Sequence, residues 1–282
     1  RRSLSLLTDV EIPTSEVLAE MEFVGIAADD QQLRSLSTDF GENMSSAEAT
    51  AYEIVGRPFN LGSPKQLQGI LFDERSLPKT KKIKTGFTTD ADALKGLYES
   101  TADPLLEQIL AWRDAAKLRQ TVDGLLPLLD SAGRIHTTFQ QTTTATGRLS
   151  SSDPNLQNIP IRTQRGREIR KAFVPATGFL LLSADYAQIE LRILASLADD
   201  DGLKKAYNEG LDIHTATAAK VFGVEPGEVT REQRSKAKEV NYGIPYGISA
   251  FGLSTRLRCS RGEAQELIDG YNKSYPAVAG YI

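Results

Sequence analysis

Phe179-Leu180-Leu181-Leu182-Ser183-Ala184-Asp185-Tyr186-Ala187-Gln188-Ile189-Glu190-Leu191-Arg192 is the stretch on which the reading of this chain turns. Residues 179–184 form a short apolar run, which reads as a buried strand. Asp185 comes at the end of that run, where the chain turns into a helix expected over residues 188–195. A carboxylate delivered there is well placed to hold Mg²⁺, which prefers oxygen ligands and shares them with substrate phosphates. An Asp in that position can also cap the helix, and spacing alone favours the cap.

Downstream, Arg234, Lys238, Tyr242 and Tyr246 recur every four residues and fall on one slowly turning helical face. Two cations followed by two aromatics suit a nucleoside triphosphate, with cations on phosphates and rings on sugar and base. The same pattern fits a solvated basic face running into core aromatics. Gly243 and Gly247 leave room for close approach, and Pro245 is expected to kink the helix because it cannot donate to the carbonyl of Asn241. Thr230 with Gln233 and Ser260 with Glu263 carry capping-box spacing. His214 follows Asp212 at an expected helix start, where it is a surface or capping residue or a donor to phosphate. Asp199-Asp200-Asp201 reads as a solvated loop.

Upstream, residues 142–163 are dense in Thr, Ser, Asn, Gln, Gly and Pro and read as a long loop. Amides and hydroxyls of this kind reach phosphates, sugars and minor-groove edges. Arg162, Arg165, Arg167, Arg170 and Lys171 follow against one acid, Glu168, making the strongest basic patch in the chain. A polar surface loop with a charged flank would look the same. Residues 133–141 alternate as a strand does.

Farther back the periodicity is helical. Thr14 is expected to cap a helix with Val17, Leu18, Met21 and Val24 on one face and Gly25 at its end. Leu33, Leu36, Phe40, Met44, Ala47, Ala51 and Ile54 form a seam suited to packing on another long helix, weakened locally by Gly41. That partner is expected from Pro104 to about Asp123, with Leu105, Ile109, Trp112 and Ala116 inward. Between them lie a turn at residues 59–64, a short helix over 66–72 and a basic loop, Lys79-Thr80-Lys81-Lys82-Ile83-Lys84. Two long helices joined by a basic tip make an antiparallel arm, a shape for binding rather than catalysis.

The totals fit such a molecule. The 282 residues allow two domains or one elaborate one, with 40% hydrophobic and 25% charged residues and a net charge of −4. A nucleic-acid partner therefore has to be met by local basic strips. One cysteine, Cys259, implies a reducing compartment, and two histidines, His136 and His214, exclude a His-rich metal site. No apolar run approaches ~20 residues, so no membrane helix is expected. The first residues show no signal-peptide pattern, and both ends read as cut.

In this order the motifs resemble the family A DNA polymerases of the bacterial DNA polymerase I type. TATGRLSSSDPNLQNIP (144–160), SADYAQIELRILA (183–195), DIHTATAAKVF (212–222) and RSKAKEVNYGIPYGISAFGL (234–253) each resemble a family motif. Weaker similarity runs through FNLGSPKQLQGILF (59–72) and AKLRQTVDGLLPLL (116–129), so the resemblance spans essentially the whole chain.

The resemblance implies an α+β, right-hand polymerase architecture, with mostly helical thumb and fingers and part of an antiparallel palm sheet. Residues 1–125 would be thumb with an N-terminal lead-in, 126–212 the first part of the palm, and 213–282 incomplete fingers. It implies DNA synthesis from a primer 3′-hydroxyl with release of pyrophosphate, using Mg²⁺, primer–template DNA and deoxynucleoside triphosphates. A monomer in the bacterial cytoplasm, associated with the nucleoid and not with membrane, is implied as well.

By the same resemblance Asp185 and the carbonyl of Tyr186 are metal ligands, and Glu190 is the steric gate against a 2′-hydroxyl. Arg234 and Lys238 bind the triphosphate, with Lys238 suited to protonate the leaving pyrophosphate. Gln188 and His214 line the phosphates and sugar, and Tyr246 stacks near the template base and contacts Glu190. Arg148, Asn155, Gln157, Asn158 and Arg162 touch primer and template. The helix carrying Arg234 to Tyr246 is expected to swing toward the palm when the correct nucleotide pairs.

The chain departs from the family pattern twice. Tyr242 stands where Phe is frequent, which implies weak discrimination against dideoxynucleotides. No His-Asp pair occurs, so the family's second palm aspartate is missing and the chain alone is expected to be nearly or wholly inactive. The alternative is a non-catalytic or split-subunit module that binds primer–template DNA.

Overall fold

The computed structural model describes residues 2–161 and 163–282; Arg162, one of the expected DNA contacts, lies outside the described residues. The chain divides into two compact units, Arg1–Leu182 and Ser183–Ile282.

The first unit is organised by two long helices, Asp30–Val55 and Pro104–Leu125. Asp29 caps the first by accepting from the Gln32 N–H at 2.9 Å, and Gly56, in the left-handed conformation, ends it. Leu33, Phe40, Ala47 and Ala51 form its buried face. The partner buries Leu105, Leu106, Ile109, Ala115, Leu118 and Val122, with Trp112 and Ala116 only half-buried. Each fully buried Leu or Ile contributes about 1.5–3 kcal/mol.

The two helices run antiparallel. Ser37, early in the first, donates to Asp123, late in the second, at 2.5 Å. Ala51 at the other end shares a cluster with Leu105 and Ile109. Gly41 leaves room for the Arg119 guanidinium, which a Cβ there would meet at 3.0 Å.

At the Ala51 end, Pro64–Gln68, capped by Ser63, continues into a wider helical stretch, Gly69–Glu74. The basic segment folds back as a hairpin, with Lys82–Ile83 pairing antiparallel with Gly86–Phe87. An arm with a basic tip is therefore present.

The N-terminus differs from expectation. Arg2–Leu6 and Leu7–Glu11 run without a break into Ile12–Val24, so Thr14 lies inside a helix rather than capping one. Gly25 does end it, at φ 64°. Leu18 is buried, but Val17, Met21 and Val24 are exposed on an apolar groove of about 760 Å³ that also meets Ile135, Phe139 and Leu180.

Strands are short and antiparallel. Ile26–Ala27 pairs with Arg134–Ile135, and Thr138–Gln140 pairs with Ser150–Ser152, inside the segment expected to be loop. Residues 179–184 overturn an expectation. They form no strand and lie open, with Phe179 73% and Leu182 92% exposed. An apolar run becomes a buried strand only when neighbours pair with its edges, and no strand among the described residues does so.

The second unit is helical. Ile189–Leu197, Asp201–Asn208, Ile213–Phe222, Arg231–Gly243, Ala250–Leu257, Arg261–Ser274 and Pro276–Tyr281 surround a core that includes Leu191, Ile213, Leu253, Tyr271, Tyr275 and Val278. The Thr230–Gln233 capping box is present in both directions. Ser260 caps its helix, while the Glu263 carboxylate accepts from Lys236 at 2.8 Å. Pro245 does not kink a continuing helix. The helix ends at Gly243, a single tight turn spans Ile244–Tyr246, and Gly247 reverses the chain at φ 69°.

Asp103 holds the first unit in two ways: one oxygen caps the Pro104–Leu125 helix through the Leu105 N–H at 2.9 Å, and the other accepts from Arg75 at 2.7 Å, largely shielded from water. Asp103→Ala removes both and is expected to cost about 2–4 kcal/mol of stability. Asp103→Asn keeps the capping oxygen and should lose distinctly less in urea unfolding; equal losses would show that the cap contributes nothing.

Candidate functional site

In the second unit several of the expected nucleotide residues gather on two helices, Ile213–Phe222 and Arg231–Gly243. Asp212 caps Ile213–Phe222 by accepting from the His214 N–H at 3.1 Å, and it also accepts from Arg234 Nε at 2.5 Å. Arg234 and Lys238 are one turn apart on Arg231–Gly243, and both remain exposed. The Tyr242 ring lies 5.5 Å from the His214 ring. His214, Asp212, Arg234, Lys238 and Tyr242 thus form one constellation in which two cations flank a histidine.

His214 is only 3% exposed, so it is not the surface residue that one reading allowed. Burial pushes its imidazole below the ordinary value; Asp212 opposes this, and Arg234 and Lys238 add to it. Asp212, despite some burial, is held below the usual carboxylate range by hydrogen bonds from Arg234, Thr215 and the His214 N–H.

Asp185 and Tyr186 lie in irregular, exposed chain before Ile189–Leu197. Asp185 does not cap that helix. Gln188 occupies the cap position at φ 56°, without a side-chain cap bond, and its side-chain carbonyl accepts from Tyr207 at 3.3 Å. Burial raises the Tyr207 phenol to about 12, so it remains a donor at neutral pH. Arg192 stacks on the Tyr207 ring at 4.4 Å and donates to the Ala187 carbonyl at 2.9 Å, fixing the turn that follows Asp185. Glu190 lies in the first turn of the helix. Tyr246, 66% exposed, follows the end of the Arg231–Gly243 helix.

For Mg²⁺ the expected donors are the Asp185 carboxylate and the Tyr186 carbonyl. No group of three or more His, Cys, Asp or Glu side chains suited to a metal occurs among the described residues. Mg²⁺ takes most of its ligands from water and substrate phosphates, so this pair fits a site shared with a bound triphosphate. It does not form a cage of its own, nor a two-metal pair.

In the first unit the polar segment is built around Thr137 and Ser151, both buried, whose hydroxyls lie 2.6 Å apart. Thr137 Oγ1 is also 2.8 Å from the Pro154 carbonyl, and the Leu156 N–H donates to Ser151 Oγ at 3.1 Å. On that scaffold Asn155 accepts from the Gln157 N–H at 3.0 Å, and Gln157 donates to the Leu149 carbonyl at 3.1 Å. Arg148, Asn155, Gln157 and Asn158 are all exposed on this stretch. Thr163 then caps Gln164–Lys171, where Lys171 pairs with Glu168 at 2.8 Å.

Thr137, Ser151, Thr217 and Asn241 carry much of this architecture and were not singled out in the sequence. The only signal was spacing: Thr217 lies three residues after His214, on the same helical face.

Keeping His214 neutral has a pH signature. Its folded value lies below the ordinary 6.5, so the unfolded chain binds the proton first as pH falls. Its contribution is complete above about 6.5 and declines below that, with a slope of at most about 1.4 kcal/mol per pH unit until the folded value is reached. His214→Gln should flatten the stability–pH curve of Ser183–Ile282 in that window; an unchanged slope in urea melts would refute the assignment.

With the geometry in place, comparison with known proteins is informative. The pattern of DNA polymerase family A matches residues 30–282. DNA polymerase I of Mycobacterium tuberculosis is 52% identical over 281 residues, which cover 99% of this chain and 31% of that protein. DNA polymerase I of Geobacillus stearothermophilus is 47% identical over 280 residues, covering 98% and 32%. The chain therefore spans about a third of these relatives' length. Among solved structures, the POL domain of Pol1 from M. smegmatis, in complex with DNA primer-template and dNTP, is similar at 51% identity with a TM-score of 0.89, covering 99% of this chain and 50% of that one. Helical units with short antiparallel strand pairs agree with the α+β polymerase fold that this likeness carries. The chain belongs to DNA polymerase family A.

Proposed function

We propose that this chain carries the nucleotide-binding and part of the DNA-binding apparatus of a DNA-directed DNA polymerase, whose reaction adds deoxynucleotides to a primer 3′-hydroxyl and releases pyrophosphate. The observation behind this reading is the constellation of Arg234, Lys238, Tyr242 and His214, with both cations exposed beside a buried histidine. Cations one turn apart suit adjacent phosphates.

In this reading residues 1–125 serve as thumb, with the basic hairpin meeting the duplex backbone. Residues 126–212 are the first part of the palm and 213–282 the fingers. Arg234 and Lys238 hold the triphosphate, and Lys238 protonates the leaving pyrophosphate. Gln188 and Glu190 face the sugar, with Glu190 excluding a 2′-hydroxyl. Tyr246 packs near the template base. Arg148, Asn155, Gln157, Asn158 and Arg162 follow primer and template, where amides and guanidinium groups find phosphate and minor-groove acceptors. The partners are primer–template DNA and deoxynucleoside triphosphates, bound by a monomer at a cytoplasmic, nucleoid-associated site. No helix among the described residues is long and apolar enough to cross a membrane.

Family A DNA polymerases depend on metal ions. Asp185 and the Tyr186 carbonyl would hold Mg²⁺, which when bound lowers the barrier to hydroxyl attack and steadies the leaving pyrophosphate. One further reading is a module that binds primer–template and nucleotide without turnover on its own, since no cluster of three or more metal-ligating side chains occurs among the described residues.

Three measurements test these readings. Titration of the chain with a deoxynucleoside triphosphate should show binding that weakens about tenfold or more in Lys238→Ala; unchanged affinity would sink the triphosphate reading. Primer extension by the 282-residue chain should be undetectable; extension abolished by Asp185→Ala would show that one carboxylate suffices. Dideoxy and deoxy triphosphates should bind about equally, and Tyr242→Phe should restore a preference for the deoxy form. The same ratio of dideoxy to deoxy affinity in both forms would remove the role given to the Tyr242 hydroxyl.

A further inference from the structure

We propose that Asn241 is a positioning residue: braced by Thr217 and Tyr275, its side-chain amide fixes His214 as the single tautomer that carries its proton on Nε2. This rests on the reading of His214 as a group that faces a triphosphate, and it specifies what His214 presents.

The four side chains come from separate elements. His214 and Thr217 lie three residues apart on Ile213–Phe222, Asn241 is on Arg231–Gly243, and Tyr275 joins Arg261–Ser274 to Pro276–Tyr281. All four are buried, so the hydroxyl hydrogens of Thr217 and Tyr275 must find acceptors within the protein. Thr217 Oγ1 is 3.0 Å from Asn241 Oδ1 and 3.0 Å from the Tyr275 hydroxyl. Asn241 Nδ2 is 3.0 Å from His214 Nδ1.

An amide can be placed in two orientations, and hydrogen counting decides between them. With Oδ1 toward Thr217, Tyr275 donates to Thr217, Thr217 donates to Oδ1, and Nδ2 donates to Nδ1. Every hydroxyl hydrogen is accepted. With the amide reversed, Nδ2 would donate to Thr217. Two hydroxyl hydrogens would then share the one contact between Thr217 and Tyr275, and one would be stranded in a dry core. Burial also keeps the phenol of Tyr275 protonated and His214 uncharged. Nδ1 is thereby an acceptor, and the ring proton sits on Nε2.

His214 forms its hydrogen bonds through its backbone N–H and Nδ1. No buried side-chain nitrogen or oxygen among the described residues lacks a partner, so Nε2 reaches the surface as an N–H donor. Phosphate oxygens only accept. The other tautomer would turn a lone pair toward them and reverse the sign of the contact. The relay therefore decides whether His214 attracts or repels a phosphate, although Asn241, Thr217 and Tyr275 need not touch it.

The test is a long-range nitrogen–proton correlation spectrum of the histidine-labelled 282-residue chain at neutral pH. Its two histidines are told apart with His214→Gln. The expected His214 pattern is a protonated Nε2 and a bare Nδ1. Asn241→Asp, which can only accept, should move the proton to Nδ1 and weaken dATP binding about tenfold. Thr217→Val should give mixed tautomers and Thr217→Ser should restore one. An Nδ1–H tautomer in the unaltered chain, or a bare Nδ1 retained in Asn241→Asp, overturns the proposal. Addition of dATP tests the underlying reading separately: a displaced Nε2 resonance supports it, and an unmoved one with the tautomer intact overturns the phosphate role while leaving the relay in place.

Discussion

A buried polar atom has to be paired, and that constraint shapes both places where this chain meets its expected ligands. Among the described residues every buried side-chain nitrogen and oxygen has a partner. In the first unit the Thr137 and Ser151 hydroxyls gather the Pro154 carbonyl and the Leu156 N–H, converting a run of polar residues into a folded platform. In the second, Tyr275, Thr217, Asn241 and His214 pair in sequence across the helical core. Leaving one such group unpaired costs about 1–3 kcal/mol, a large share of the net stability of a domain. The order of these segments follows from the penalty for breaking any one link.

Apolar packing supplies the frame. In the arm, the seam from Leu33 to Ala51 meets Leu105 to Val122, and Gly41 leaves room for the Arg119 guanidinium beside it. Caps then fix where helices start. Asp29, Asp90, Asp103, Asp200, Asp212, Thr230 and Ser260 each accept a backbone N–H in a first turn, so side-chain oxygens stand in for absent helical carbonyls. At Asp103 and Asp212 the same carboxylate also binds an arginine. Stability and site geometry thus meet in one side chain.

Much of this was legible in the sequence because it is periodic. The two long helices, the Thr230 capping box and the Gly25 stop show in local spacing, and the order of the motif strings pointed to the family. Other features depend on contacts that spacing does not encode. Residues 179–184 have the composition of a buried strand, but burial needs pairing partners that the described residues do not supply. Thr14 carries capping chemistry, yet the residues before it continue the helix. Pro245 reads as a kink; with Gly243 and Gly247 on either side it belongs instead to a turn between helices. The Asp185 ambiguity narrowed once Gln188 took the cap position. Thr217 and Asn241 are ordinary polar residues in sequence, and only the fold brings them to His214.

The ion pair between Asp212 and Arg234 gives the proposed nucleotide-binding constellation an internal competitor. Before any ligand arrives, the guanidinium is already held by a carboxylate at 2.5 Å, so much of its rotational freedom is gone. An incoming phosphate would exchange one anion for another at Arg234 rather than neutralise a solvated charge. Such an exchange releases fewer counterions than a fresh neutralisation, and salt should weaken it less than it weakens contacts at the lysines of the basic hairpin.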